Sequence, residues 1–199
     1  MKRFERILTA CWILAVTFSL KSSAVPYHYF TRFNSSSGLP NNTIISCLSD
    51  SMGFIWVGTK DGLYRFDGHG FMVPDQMRDC GITDGMIGAL CEDMDGTVWF
   101  TSNKGLGCYM PESGEVRSIE AFQDVMSYQM DADGMGNIWV LRSDIWTKGT
   151  TDRAIYRYNK NSGEVAIFSK DACGFLPNEI CLDSGKKAWF CGENSPALY

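Results

Sequence analysis

Four tryptophans recur at near-constant spacing: Trp56, Trp99, Trp139 and Trp189 stand 43, 40 and 50 residues apart. An indole face can stack on a sugar ring, or it can fill the wedge between packed sheets. Each of the four sits in the same apolar, strand-like run, which favours packing. Two stretches, Asp93-Met94-Asp95-Gly96 and Asp131-Ala132-Asp133-Gly134-Met135-Gly136-Asn137, resemble the opening of a calcium loop. Neither has the bidentate glutamate that such a loop carries at its last ligand position. Both fall where a hairpin turn is expected, and short acidic side chains bond turn backbones. With only His28 and His69 and no CxxC pair, neither a zinc site nor a Ser/His/Asp or Cys/His arrangement can be argued. No catalytic residue, metal or cofactor is predicted.

One segment has the residue types of a binding loop. The third tryptophan unit is longer than its neighbours, with the extra residues around 142–153. Arg142, Asp144, Trp146, Lys148 and Arg153 offer an aromatic face and charged hydrogen-bonding groups, the mixture that carbohydrate sites use. Loops on rigid scaffolds are where binding concentrates. The alternative is an ornamental loop with Trp146 tucked onto its own sheet. These five residues form the candidate ligand-binding set.

The elements that position them come from the repeat. In each unit an alternating apolar run ends in Asp, a Gly-bearing turn follows, and a second run surrounds the tryptophan. Asp61-Gly62 then precedes Leu63-Tyr64-Arg65-Phe66, matched by Lys104-Gly105 before Leu106-Gly107-Cys108-Tyr109. A fourth short run, such as Phe71-Met72-Val73, leads to the next unit. Glycine supplies the positive φ of tight turns, and Asp bonds the turn backbone. Four short antiparallel strands per unit of about 40–45 residues make the blade of a β-propeller. The predicted fold is all-β, an incomplete propeller of about three and a half to four blades. Blade repeats fall near 43–73, 86–120, 125–170 and 179–199, with an N-terminal closing strand at 27–33. That strand could complete the fourth blade of a small closed ring; the other outcome is an open arc with unprotected edges.

Residues 1–24 read as a signal peptide. Lys2, Arg3 and Arg6 precede an apolar run over 7–20, followed by the small residues Ser22-Ser23-Ala24. The run is short against the roughly 20 residues of a spanning helix; the alternative is an uncleaved anchor. Export permits disulfides, but removal of the signal leaves seven of the eight cysteines, an odd number. Cys47, Cys91, Cys108, Cys181 and Cys191 lie in strand-like runs, so mostly free, buried thiols are expected. The formal charge of −5 with no basic block argues against nucleic-acid binding. It does not argue against a neutral sugar.

Asp50-Ser51-Met52-Gly53-Phe54-Ile55-Trp56-Val57-Gly58-Thr59, followed by Asp61-Gly62-Leu63-Tyr64-Arg65-Phe66-Asp67-Gly68, resembles the regulator-propeller repeat. The lead-in Gly38-Leu39-Pro40-Asn41-Asn42 is typical of it too. The resemblance covers roughly 27–199. Later copies are degenerate: Thr101-Ser102, Leu141-Arg142 and Cys191-Gly192 replace Gly-Thr. The resemblance implies the periplasmic sensor region of a hybrid two-component histidine kinase of the Bacteroidetes type. Such proteins carry two propellers, a small β-sandwich, one transmembrane helix, a kinase, a receiver and a DNA-binding domain, and they sense oligosaccharides. This chain would be the N-terminal piece, with no enzymatic or DNA-binding activity of its own. Its partners would be an oligosaccharide, the remaining blades, the downstream kinase region and a second copy in a homodimer. A propeller enzyme, either a quinoprotein dehydrogenase or a polysaccharide lyase, and a protein-interaction scaffold are the alternatives.

Overall fold

The computed structural model describes residues 29–78, 80–81, 83–123, 125–143, 153–192 and 195–197. The expected signal peptide lies outside them. The chain divides into two compact units, 1–32 and 33–199. In the first, only 29–32 are described, and they carry neither helix nor strand.

The second unit is a row of four antiparallel sheets, each a meander in sequence order. The first holds β1 (Ile44–Ser49), β2 (Ile55–Thr59), β3 (Leu63–Phe66) and β4 (Phe71–Met72). The second holds β5 (Ile87–Glu92), β6 (Val98–Ser102), β7 (Gly105–Met110) and β8 (Glu115–Ser118). The third holds β9 (Ser127–Ala132), β10 (Asn137–Ser143), β11 (Arg153–Asn159) and β12 (Val165–Phe168). The fourth holds β13 (Pro177–Leu182), β14 (Ala188–Gly192) and β15 (Ser195–Ala197). Single-turn helices α1 (Asp75–Arg78) and α2 (Lys170–Cys173) lie in two of the links. This is the blade architecture predicted from the repeat.

The first hairpins of blades one, three and four are built alike. Asp50 accepts the backbone N–H of Met52 and of Phe54 on Oδ1, and the Trp56 indole N–H on Oδ2 at 2.8 Å. Asp133 repeats this with Met135, Asn137 and Trp139, and Asp183 with Lys187 and Trp189. One carboxylate thus closes the turn and fixes the indole. The third turn residue takes a left-handed φ: Gly53, Gly96, Gly136 and, in the fourth copy, Lys186 at 64°. In that last turn the glycine, Gly185, stands one position earlier, and Lys186 bears the positive φ.

Adjacent blades pack face to face through apolar clusters. Trp56 and Leu63 meet Ile87, Val98, Phe100 and Tyr109, with Met77 of α1 between them. Cys91, Trp99, Leu106 and Cys108 meet Ile138, Val140, Ala154 and Tyr156 around Phe122. Leu141 and Ile155 meet Ile180 and Phe190. Trp56, Trp99 and Trp139 therefore serve as interblade packing, and Trp56 and Trp99 are 1% and 3% exposed. At the second junction the backbones nearly touch. A Cβ on Gly88 would lie 1.9 Å from the Ser127 carbonyl oxygen. Thr101 Oγ1 stitches that approach, accepting the Ala89 N–H and donating to the Ser127 carbonyl.

Two expectations are corrected. Of the expected closing strand over 27–33, residues 27 and 28 lie outside the described residues, and 29–33 form no strand. Phe33 instead packs its ring on Phe66 and Phe71, with centroids 4.9 and 5.6 Å away. The cysteines are free, but only Cys91, Cys108 and Cys173 are buried; Cys47, Cys80, Cys181 and Cys191 are exposed. Cys47 lies on the face of the first sheet opposite Trp56, and Cys181 on the face of the fourth that carries Trp189.

Candidate functional site

The candidate binding loop leaves the third blade between β10 and β11. In blades one and two this turn is short and closed by a hydroxyl: Thr59 Oγ1 donates to the Gly62 carbonyl, and Ser102 Oγ to that of Gly105. Ser102 thus does the work of Thr59 in the degenerate second copy. The third blade has Arg142 at that position, the hydroxyl is gone, and the chain runs on to Arg153. Arg142 pairs with Ala154, and Ser143 with Arg153. Asp144, Trp146 and Lys148 lie outside the described residues. The two arginines stand at the two feet of the loop on opposite faces of the sheet, Arg142 on the face of Ala154 and Tyr156, Arg153 on the face of Ile155.

Both are tied to the scaffold. Arg142 Nη1 donates to Tyr156 Oη at 3.0 Å. Arg153 donates to Asn178 Oδ1 of the next blade. Arg142 also registers with Ser127 at the start of β9.

Strands β9 and β13, which carry Ser127 and Asn178, help line a cavity that the sequence did not single out. It measures about 310 Å³ and takes its walls from the first strand of every blade: Ser46, Ala89, Leu90, Tyr128–Asp131 and Ile180–Leu182. Each first strand pairs only with its own second strand, so its other edge faces this space. Tyr128, Gln129 and Asp131 add side-chain polarity; Gln129 Oε1 also accepts the Ile180 N–H at 3.3 Å. Desolvation raises the Tyr128 phenol above its ordinary pKa, so it remains a neutral donor. Hydroxyl-rich molecules suit such a wall, because unpaired backbone groups and amide or phenol side chains all exchange hydrogen bonds with them. The repeat could have shown that four first strands line one axis. It could not show which side chains reach that axis, because blade curvature decides this.

Among the described residues, no group of three or more His, Cys, Asp or Glu could hold a metal ion. The carboxylates of the calcium-like stretches are engaged otherwise. Asp133 bonds its own turn, while Asp93 and Asp95 receive Lys160 Nζ at 2.5 and 2.7 Å. That leaves the buried Trp99 indole N–H without a partner, unlike its counterparts. Blade two has exchanged the bond within the blade for an ion pair to blade three.

The fold and these junctions define a β-propeller arc. Residues 38–61 and 81–104, in the first two blades, match the two component regulator propeller family. A 60-residue stretch is 37% identical to histidine kinase P4 of Formosa agariphila, covering 30% of this chain and 4% of that one. The fold is similar to the extracellular domain of a hybrid two component system of B. thetaiotaomicron, at 20% identity and a TM-score of 0.60 over 81% of this chain and 24% of that one. It is also similar to the extracellular domain of a one component system of the same organism, at 16% identity and a TM-score of 0.62 over 82% of this chain and 21% of that one. The chain spans a quarter or less of the length of these relatives. Among the described residues no helix is long and apolar enough to cross a membrane.

Proposed function

We propose that this chain is the N-terminal part of a periplasmic sensor propeller that binds an oligosaccharide and regulates a histidine kinase. The observation that carries the reading is the regulator-propeller repeat in the first two blades. The site would lie where the feet of the third-blade loop, Arg142 and Arg153, adjoin the mouth of the inner-strand cavity. Arg142, Asp144, Trp146, Lys148 and Arg153 would contact the sugar, and the cavity wall would hold its far end. Sensing requires that the ligand bind one arrangement of the blades better than another. The Arg153–Asn178 bond, which spans the third and fourth blades, is a contact that a ligand could exchange.

Calorimetric titration of the purified chain with a panel of plant and animal glycan oligosaccharides tests this. One class should bind, and Arg142→Ala and Arg153→Ala should each weaken it about tenfold, the loss of one charge-assisted hydrogen bond. Absence of binding across the panel would sink the proposal. Release of uronate, or the absorbance of a bound quinone, would replace it with an enzyme.

A further inference from the structure

Blade two departs from its neighbours at one buried atom. In blades one, three and four the aspartate after the first strand accepts the indole N–H six residues on: Asp50 from Trp56 at 2.8 Å, Asp133 from Trp139 at 3.4 Å and Asp183 from Trp189 at 2.8 Å. Asp93 stands in the same place before Trp99. Its carboxylate instead accepts Lys160 Nζ of blade three, and the buried Trp99 Nε1 has no partner. An unpaired buried donor is unfavourable, and the acceptor that its counterparts use is the one that Lys160 holds.

Two residues make an exchange possible. Asp95 is the first. Where blade two has it, the other blades have Met52, Met135 and Gly185. Its Oδ1 accepts the Thr97 N–H, so the turn keeps a cap whichever way Asp93 points. Lys160 is the second. It stands two residues beyond Tyr158, where blades one and two have Gly68 and Pro111.

Strand β11 has Lys160 just past one end and the foot of the long loop at the other. Its Ala154, Tyr156 and Tyr158 alternate onto the face toward blade two. Tyr156 Oη accepts Arg142 Nη1 at 3.0 Å. Tyr158 meets the Trp99 ring, with centroids 5.9 Å apart, and both tyrosines pack on Phe122, at 5.5 and 5.8 Å. One face of one strand therefore joins the loop foot to the unpaired indole, and Lys160 follows it in the chain.

We infer that Asp93 is a two-position switch at the junction of blades two and three, holding Lys160 in one position and the Trp99 indole in the other, and that β11 couples its position to the Arg142–Tyr156 bond. The Lys160 position dominates, because charge-assisted hydrogen bonds are stronger than neutral ones. Two places in a fold are coupled when both bias the same two-state element. A part in signalling rests on the sensor reading above: a ligand that draws Arg142 off Tyr156 would shift β11 and release Asp93. The switch itself needs no ligand, so its failure and the failure of sugar binding are separate results.

Nuclear magnetic resonance of the chain with isotope-labelled indole nitrogens tests this, with the Trp99 signal identified by its loss in Trp99→Phe. In the wild type the Trp99 N–H should resonate upfield of those of Trp56 and Trp189, which donate to carboxylates. Lys160→Met should move it downfield into their range, since the indole then recovers Asp93. Adding Asp93→Ala should return it upfield, and Lys160→Arg, which keeps the cation, should leave it there. Lys160→Gln gives the same readout where Lys160→Met does not fold. Tyr156→Phe, which cuts the bond at the loop foot, should move the Trp99 signal part of the way downfield. A wild-type Trp99 N–H already in the range of Trp56, or one that stays upfield in the folded neutral variants, overturns the switch. An unmoved signal in Tyr156→Phe overturns the coupling.

Discussion

Asp50 shows how much one side chain decides at the residue scale. It is buried, caps its turn with one oxygen and holds the Trp56 indole with the other. Asp50→Ala should therefore cost about 2 kcal/mol, the sum of a lost cap and an orphaned buried donor. Asp50→Asn, which keeps an acceptor for the turn, should cost less. Denaturant titration of the two variants checks the order. The cysteines show the same dependence on position. Burial pushes Cys108 up to about 11 and Cys91 higher still. Both should resist alkylation at pH 8 until the chain unfolds, as mass spectrometry of the labelled protein would show. The spacing of Asp and Trp was plain in the sequence. Their mutual bond was not, because six residues of separation place them together only once the hairpin has folded.

At the scale of the element, the repeated hairpin tolerates one exception. Lys186 takes the left-handed φ that glycine supplies in the other three copies. A side chain in that conformation is strained by about 1 kcal/mol. Lys186→Gly relieves this but adds freedom to the unfolded chain, so a net gain of about 0.5 kcal/mol is expected. A rise in melting temperature would verify it, and Lys186→Val should lower it. Turn chemistry also explains the loop of blade three. The hydroxyl that closes the short turn in blades one and two is replaced by Arg142, so the lengthening that the sequence displayed coincides with the loss of the closing bond. Where the candidate residues between the two arginines point lies beyond what periodicity can tell, since loop side chains follow no period.

Over the whole molecule, stability is distributed along the junctions. Lys160 reaches from blade three to Asp93 and Asp95 of blade two. Desolvation pushes the Asp95 carboxyl up, but the Lys160 hydrogen bond and the Thr97 amide outweigh it, and the net shift is down. Asp133 is likewise lowered, its burial outweighed by bonds from Asn137 and Met135. A carboxyl lowered by folding contributes stability that is fully present above its unfolded pKa, about 3.9, and is lost as pH falls through the folded value. Thermal stability should hold from neutrality down to about pH 4 and then decline. Lys160→Met should destabilise the chain by about 2 kcal/mol at pH 7, because it strands a buried Asp93 carboxylate. It should also make the acid decline shallower. Melting curves across pH for both proteins test both statements.

The sequence by itself determined the blade. Four Asp-turn-Trp units at near-equal spacing can bury their apolar faces only against one another, so the strand order, the hairpins and the packing role of the tryptophans were all local and repeated. It also determined where a longer loop would interrupt the pattern. Only the tertiary structure decided what lies between blades. The exchange of Asp93 from Trp99 to Lys160, the cavity along the first strands, and the exposure of Cys47 and Cys181 beside a buried Cys91 all depend on which neighbour stands across each face. A repeat makes its units alike in sequence; their position in the row makes them different in burial.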